Sequence, residues 1–141
     1  MNSIYTVSAQ SLVGEEDVVE TFEGKFAKPK ETEKGQKLQN QNPEQLLAAA
    51  HAYCFSLTMA YNAKTKGLDL SHCPIKTTVD LAMDPGKGYK LMSGVEITVP
   101  EGTDLALVGE LMKKTHNTCP VSKLVGDSNL TYLRVNGKDV H

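Results

Sequence analysis

The sequence predicts a single α+β domain, an antiparallel sheet with its helices gathered on one side, from three observations. A long apolar segment, Leu46 to Tyr61, follows a helix start signal. Two alternating stretches, Ile75 to Met83 and Tyr89 to Val99, flank the turn-forming Asp84-Pro85-Gly86-Lys87-Gly88. The elements follow the order β-β-α-β-β-α-β along the chain. With 141 residues, 40% hydrophobic and 23% charged, the chain suits one domain spanning 1–141. Such a chain buries roughly 70% of its unfolded surface, enough for a core without staples.

Residues Ile4 to Ala9 and Asp17 to Phe26 carry the β-branched and aromatic residues of short strands, with Gly14-Glu15-Glu16 as the turn between them. Lys28 to Asn40, rich in Lys, Glu and Gln, reads as a mobile loop. Asn42 then caps a helix, Pro43 takes its first position, and Gln45 stands where a capping box needs it. The helix runs to Lys66, and Gly67 offers a left-handed stop. Its residues from Leu46 to Leu57 leave almost no polar face, so it calls for burial on every side, by a wrapping sheet and a second subunit. Ile75, Thr77, Val79, Leu81 and Met83 share one face of the first strand, and Tyr89, Leu91, Ser93, Val95, Ile97 and Val99 share one face of the second. Thr103 is expected to cap a second helix with Leu105, Val108, Leu111 and Met112 as its apolar stripe. Cys119-Pro120 interrupts that helix, because the residue before proline is pushed out of helical geometry. Leu130 to Val135 closes the sheet.

Composition excludes several functions. Fifteen cations against seventeen anions leave a net charge of -2, with no basic stripe for nucleic acid. Arg134 is the only arginine, so bidentate clamping of phosphate is nearly absent. The start, Met1-Asn2-Ser3-Ile4-Tyr5, carries no secretory pattern, and Leu46–Tyr61 is shorter than the ~20 residues of a membrane span, so a cytoplasmic protein is expected. Cys54, Cys73 and Cys119 are too few and too widely spaced for a disulfide framework or a paired-cysteine zinc site. The four histidines show no metal-ligand spacing.

Two thiols remain as candidates. Cys54 sits mid-helix with His51 one turn before it. The imidazole either favours the thiolate or is a core histidine satisfied by hydrogen bonds. Cys119 stands at a helix break, where freed backbone amides can stabilise a thiolate or the chain can accept a disulfide. Cys73 precedes Pro74 at a strand entry and has no chemical neighbour in the sequence. Glu44 favours the helix dipole whatever else it does.

The segment Asn42-Pro43-Glu44-Gln45-Leu46-Leu47-Ala48-Ala49-Ala50-His51-Ala52-Tyr53-Cys54-Phe55 resembles the central helix of the OsmC/Ohr family of thiol-dependent hydroperoxide reductases. Cys119-Pro120-Val121-Ser122-Lys123-Leu124-Val125 resembles that family's second-cysteine segment, closer to the OsmC branch. The resemblance implies an OsmC-like fold, each sheet wrapped around two central helices in an intertwined homodimer. It implies no cofactor. Cys54 would attack an organic hydroperoxide and become a sulfenic acid, Cys119 would condense with it to a disulfide, and a dithiol, in the Ohr branch a lipoylated protein, would restore both thiols.

Glu44 matches the family glutamate that orients a catalytic arginine. It lies ten positions from Cys54, about 15 Å in an unbroken helix, so a break or the partner subunit must bring them together. No arginine precedes Glu44. Lys34 stands where the OsmC branch places its arginine, with Lys37 as a weaker substitute. A lysine keeps the charge but gives up the planar fork. That loss favours a second reading, a non-enzymatic dimer of the same fold binding a small hydrophobic ligand or a partner. A thioester hydrolase using Glu44 as base is a third.

Overall fold

The computed structural model describes residues 3–14, 19–23 and 42–140, the backbone alone for 19–23. The chain runs β1 (Ser3–Leu12), β2 (Val19–Glu23), α1 (Pro43–Thr65), β3 (Pro74–Asp84), β4 (Gly88–Ile97), α2 (Leu105–Thr118), α3 (Pro120–Val125), β5 (Leu130–Val135) and β6 (Lys138–Asp139). The strands form one sheet in the order β2-β1-β3-β4-β5-β6. The expected loop Lys28 to Asn40 lies outside the described residues.

Local chemistry sets the elements as the sequence predicts. Asn42 accepts from the Gln45 N–H at 2.9 Å while Gln45 Oε1 accepts from the Asn42 N–H at 3.0 Å, a closed capping box. Lys66 ends α1, and Gly67 at φ +66° lets the chain turn away. The hairpin pairs Ile75 with Ile97 and Asp84 with Gly88, placing Thr77, Val79, Ser93 and Val95 on the core face.

Three expectations are corrected. The sheet is mixed rather than antiparallel, because β4 and β5 run parallel, with Ile97 beside Val135. A parallel pair needs a long crossover, and α2 and α3 supply one. The cap of α2 is Asp104, whose carboxylate accepts from the Leu107 N–H at 3.2 Å; the Thr103 hydroxyl instead donates to the Pro100 carbonyl in the preceding turn. A further strand, β6, follows Asn136-Gly137, both at positive φ as a two-residue hairpin demands.

The core lies between the sheet and one face of α1. Ala48 and Ala52 pack on Val7, Ala9 and Val79. Further along, Phe55 and Met59 join Val95, Ile97, Val108, Leu111, Met112 and Leu133. The opposite face of α1 is not covered: Leu46, Leu57 and Tyr61 are exposed, Tyr61 by 70%. Ile4 on β1, and Met83 and Tyr89 beside the hairpin turn, are exposed as well. Among the described residues, burial of α1 on every side is therefore not achieved.

The outer face of the sheet is tied by Tyr132, which donates to Thr78 Oγ1 at 2.9 Å and lies under the Arg134 guanidinium. A Cβ on Gly94 would strike the Tyr132 ring and stand 2.6 Å from Thr131 Oγ1. Gly94→Ala should cost about 1–3 kcal/mol by overpacking, read as a lower urea midpoint with unchanged slope.

Candidate active site

α1 presents Cys54 half-buried, on the side shared with Ala50, Leu57 and Tyr61. Phe55 and Met59 point the other way and are core. Cys119 is fully buried in the extended link between α2 and α3, at φ -73° and ψ 124°. Its N–H donates to the Thr115 carbonyl at 2.7 Å and its carbonyl accepts from the Lys123 N–H at 2.9 Å. Proline at position 120 forces this break, and the break places the thiol against α1.

The two cysteines come together in one cluster, Cys119 within the core and Cys54 packed against it. Burial pushes the Cys119 thiol up, and the nearby Cys54 adds to this. The backbone N–H groups of Ser122 and Val121 work in the opposite direction. A pair of thiols close together and partly shielded from water carries one negative charge more easily than two. These influences hold the proton on Cys119. Both cysteines are in the reduced, free form.

His51 takes the second of its two anticipated roles. Its Nδ1 lies 2.7 Å from Ser93 Oγ and its Nε2 lies 2.7 Å from Ser122 Oγ, all within the core. Burial, and then the neighbouring His116, lower it from 6.5 to about 4. The neutral ring donates from one nitrogen and accepts at the other, so one serine hydroxyl accepts and the other donates. It supplies no charge to Cys54 at neutral pH.

The sign of its effect on stability follows. Between pH 6.5 and about 4 the unfolded chain binds a proton that the folded chain refuses, so stability falls as pH falls through that window. The total is about 3 kcal/mol. Urea unfolding at pH 7 and pH 4.5 should show this loss in the wild type and a much smaller one in His51→Gln, which keeps two polar ends and cannot titrate.

Glu44 sits half-buried in the first turn of α1, and α1 is unbroken from Pro43 to Thr65. The rise of about 15 Å between Glu44 and Cys54 therefore stands, and the two do not share a site within one chain. Lys34 and Lys37 lie outside the described residues. Arg134 is on the outer sheet face, bound to Asp139 at 2.8 Å. Cys73 is buried beside Leu70 and Ile75, and burial pushes its thiol up. Among the described residues no cluster of His, Cys, Asp or Glu is placed to hold a metal ion, and no helix is long and apolar enough to cross a membrane.

The residues passed over in the sequence are Ser93 and Ser122. Ser93 occupies a core-facing place in an otherwise apolar alternation, and a buried hydroxyl requires a partner. That was the available signal, and His51 is the partner.

Residues 34–132 match the family model described as OsmC-like protein. An organic hydroperoxide resistance protein-like sequence of Mycoplasma genitalium is 32% identical over 139 residues, 97% of this chain and 98% of its own. The peroxiredoxin OsmC of Escherichia coli is 33% identical over 88 residues, 60% of this chain and 59% of its own. The crystal structure of an organic hydroperoxide resistance protein OsmC from Legionella pneumophila superposes with a TM-score of 0.61 at 24% identity, covering 95% of this chain and 98% of that one.

Proposed function

The chain belongs to the OsmC family, and from that premise we propose that it is a two-cysteine peroxidase that reduces organic hydroperoxides to alcohols. The observation that carries this reading is the packing of Cys54 against the core cluster that contains Cys119, with burial holding the proton on Cys119. The names of the relatives, organic hydroperoxide resistance protein and peroxiredoxin, support the same chemistry.

The Cys54 thiolate attacks the terminal peroxide oxygen. The O–O bond breaks, its electron pair leaves on the alkoxide, and a proton makes the alcohol. Cys54, oxidised by two electrons, becomes a sulfenic acid. Cys119 attacks that sulfur; the S–S bond forms, the S–O bond breaks, and hydroxide leaves as water with the Cys119 proton. An external dithiol then exchanges with the disulfide, returning both thiols and becoming a disulfide itself. No cofactor takes part.

The surroundings of Cys54 favour an organic substrate, because Ala50, Leu57 and Tyr61 on its side of α1 are apolar or aromatic and open to the surface. The same face, with Ile4, Met83 and Tyr89, supports a homodimer in which a second copy covers α1. In that dimer the partner subunit is the route by which a Glu44 carboxylate approaches Cys54, with Lys34 as the cation in place of arginine. The reading is tested by steady-state turnover of cumene hydroperoxide and of hydrogen peroxide with a dithiol reductant, beside the mass of the protein in solution. It expects faster turnover of the organic peroxide by a dimer. No turnover of either peroxide would instead leave the ligand-binding reading, which the missing arginine favours.

A further inference from the structure

The helix α3 is six residues long, too short to hold itself in place. It leaves α2 at the Cys119-Pro120 break and ends at Gly126, where φ is +72°. Of its six residues only Ser122 is buried. Leu124 is 82% exposed, and the apolar anchorage of α3 is limited to the partly buried Val121 packed on the core. Beyond the buried Cys119 at its cap, its deep attachment is polar: the Ser122 hydroxyl on His51 Nε2, with His51 Nδ1 fixed by Ser93 of β4.

The placement of this bridge is specific. His51 and Cys54 stand one turn apart on α1, and Cys119 and Ser122 stand at the cap and third position of α3. The Ser122–His51 hydrogen bond and the packing of Cys54 with Cys119 are thus two adjacent rungs between α1 and the start of α3. A disulfide tolerates only a narrow range of separations and dihedral angles, so the second rung depends on how the first seats α3.

We infer that His51, clamped between Ser93 and Ser122, is a positioning residue that sets α3 on α1 and thereby the line of attack of Cys119 on oxidised Cys54. The inference rests on the peroxidase reading. The bridge touches no reacting atom, and its effect falls on disulfide closure, the step in which the S–S bond forms as water leaves, rather than on the attack of Cys54 on peroxide.

The test separates the two steps. The protein is mixed with one equivalent of cumene hydroperoxide per chain. Sulfenic acid on Cys54 is trapped with dimedone and read by mass, and closure is read as the rate of loss of free thiols. Ser122→Ala should form the sulfenic acid at the wild-type rate and close between about tenfold and a hundredfold more slowly. Ser122→Thr, which keeps the hydroxyl, should restore closure. Closure in Ser122→Ala at the wild-type rate would overturn the inference, even if its melting temperature were lower. Should Ser122→Ala not fold, Ser93→Ala frees the ring from its other side and is held to the same criterion. If the wild type itself forms neither sulfenic acid nor disulfide, the peroxidase reading has failed and this inference falls with it.

Discussion

Replacing Cys54 by serine should reduce peroxidase turnover by at least about a thousandfold, because the hydroxyl cannot take the place of a thiolate as the group that accepts oxygen. The effect should fall on kcat and on kcat/KM alike, since the covalent step itself is removed. The fold should survive, because Cys54 is half-buried and serine is close to it in volume. The measurement is turnover of cumene hydroperoxide with a dithiol, beside a thermal melt of the same preparation. Retained turnover in Cys54→Ser would remove Cys54 from the chemistry and return Glu44, as a base, to consideration.

Replacing Cys119 by serine should have the next largest effect, and of a different kind. The first turnover should proceed, releasing about one alcohol per chain, because Cys54 is intact. The sulfenic acid then has no partner across α1 and α3. It waits for external thiol or is oxidised further to the sulfinic state. An oriented neighbouring thiol acts at an effective concentration far above any added dithiol, so steady turnover should drop by at least about a hundredfold at millimolar reductant. A burst of alcohol followed by a near-stop, with a dimedone adduct on Cys54, is the expected record. Unchanged steady turnover would exclude Cys119 from the cycle. Serine at 119 is also informative for stability: Cys119 is fully buried, and the hydroxyl that replaces it faces the half-buried Cys54.

The parts of this molecule that were legible in the sequence are those set by neighbours in the chain. The capping box of Asn42 and Gln45, the stop at Gly67, the pairing of Ile75 with Ile97 through the Asp84 turn, and the break at Pro120 all depend on residues a few positions apart. The parallel pairing of β5 with β4 was not legible, since a six-residue apolar strand reads the same in either direction. The small strand β6 had the Asn136-Gly137 signal but too few residues after it to show alternation.

At the site, each cysteine could be singled out from its surroundings, but their pairing came only as what the family resemblance implies. It depends on how a crossover of two helices returns across α1, which no local pattern records. The Ser93–His51–Ser122 bridge joins three elements through two hydroxyls and was beyond reach for the same reason. Glu44 shows the converse. Its separation from Cys54 is fixed by helix geometry because α1 is unbroken, so the sequence arithmetic stands and the two are kept apart within one chain.

Whether Cys54 and Cys119 form one redox pair is decided by intact mass and free-thiol count before and after one equivalent of cumene hydroperoxide. The expected result is the loss of two thiols and two hydrogens per chain, with peptide mapping to a Cys54–Cys119 disulfide and Cys73 left free. Three free thiols and an unchanged mass would contradict it.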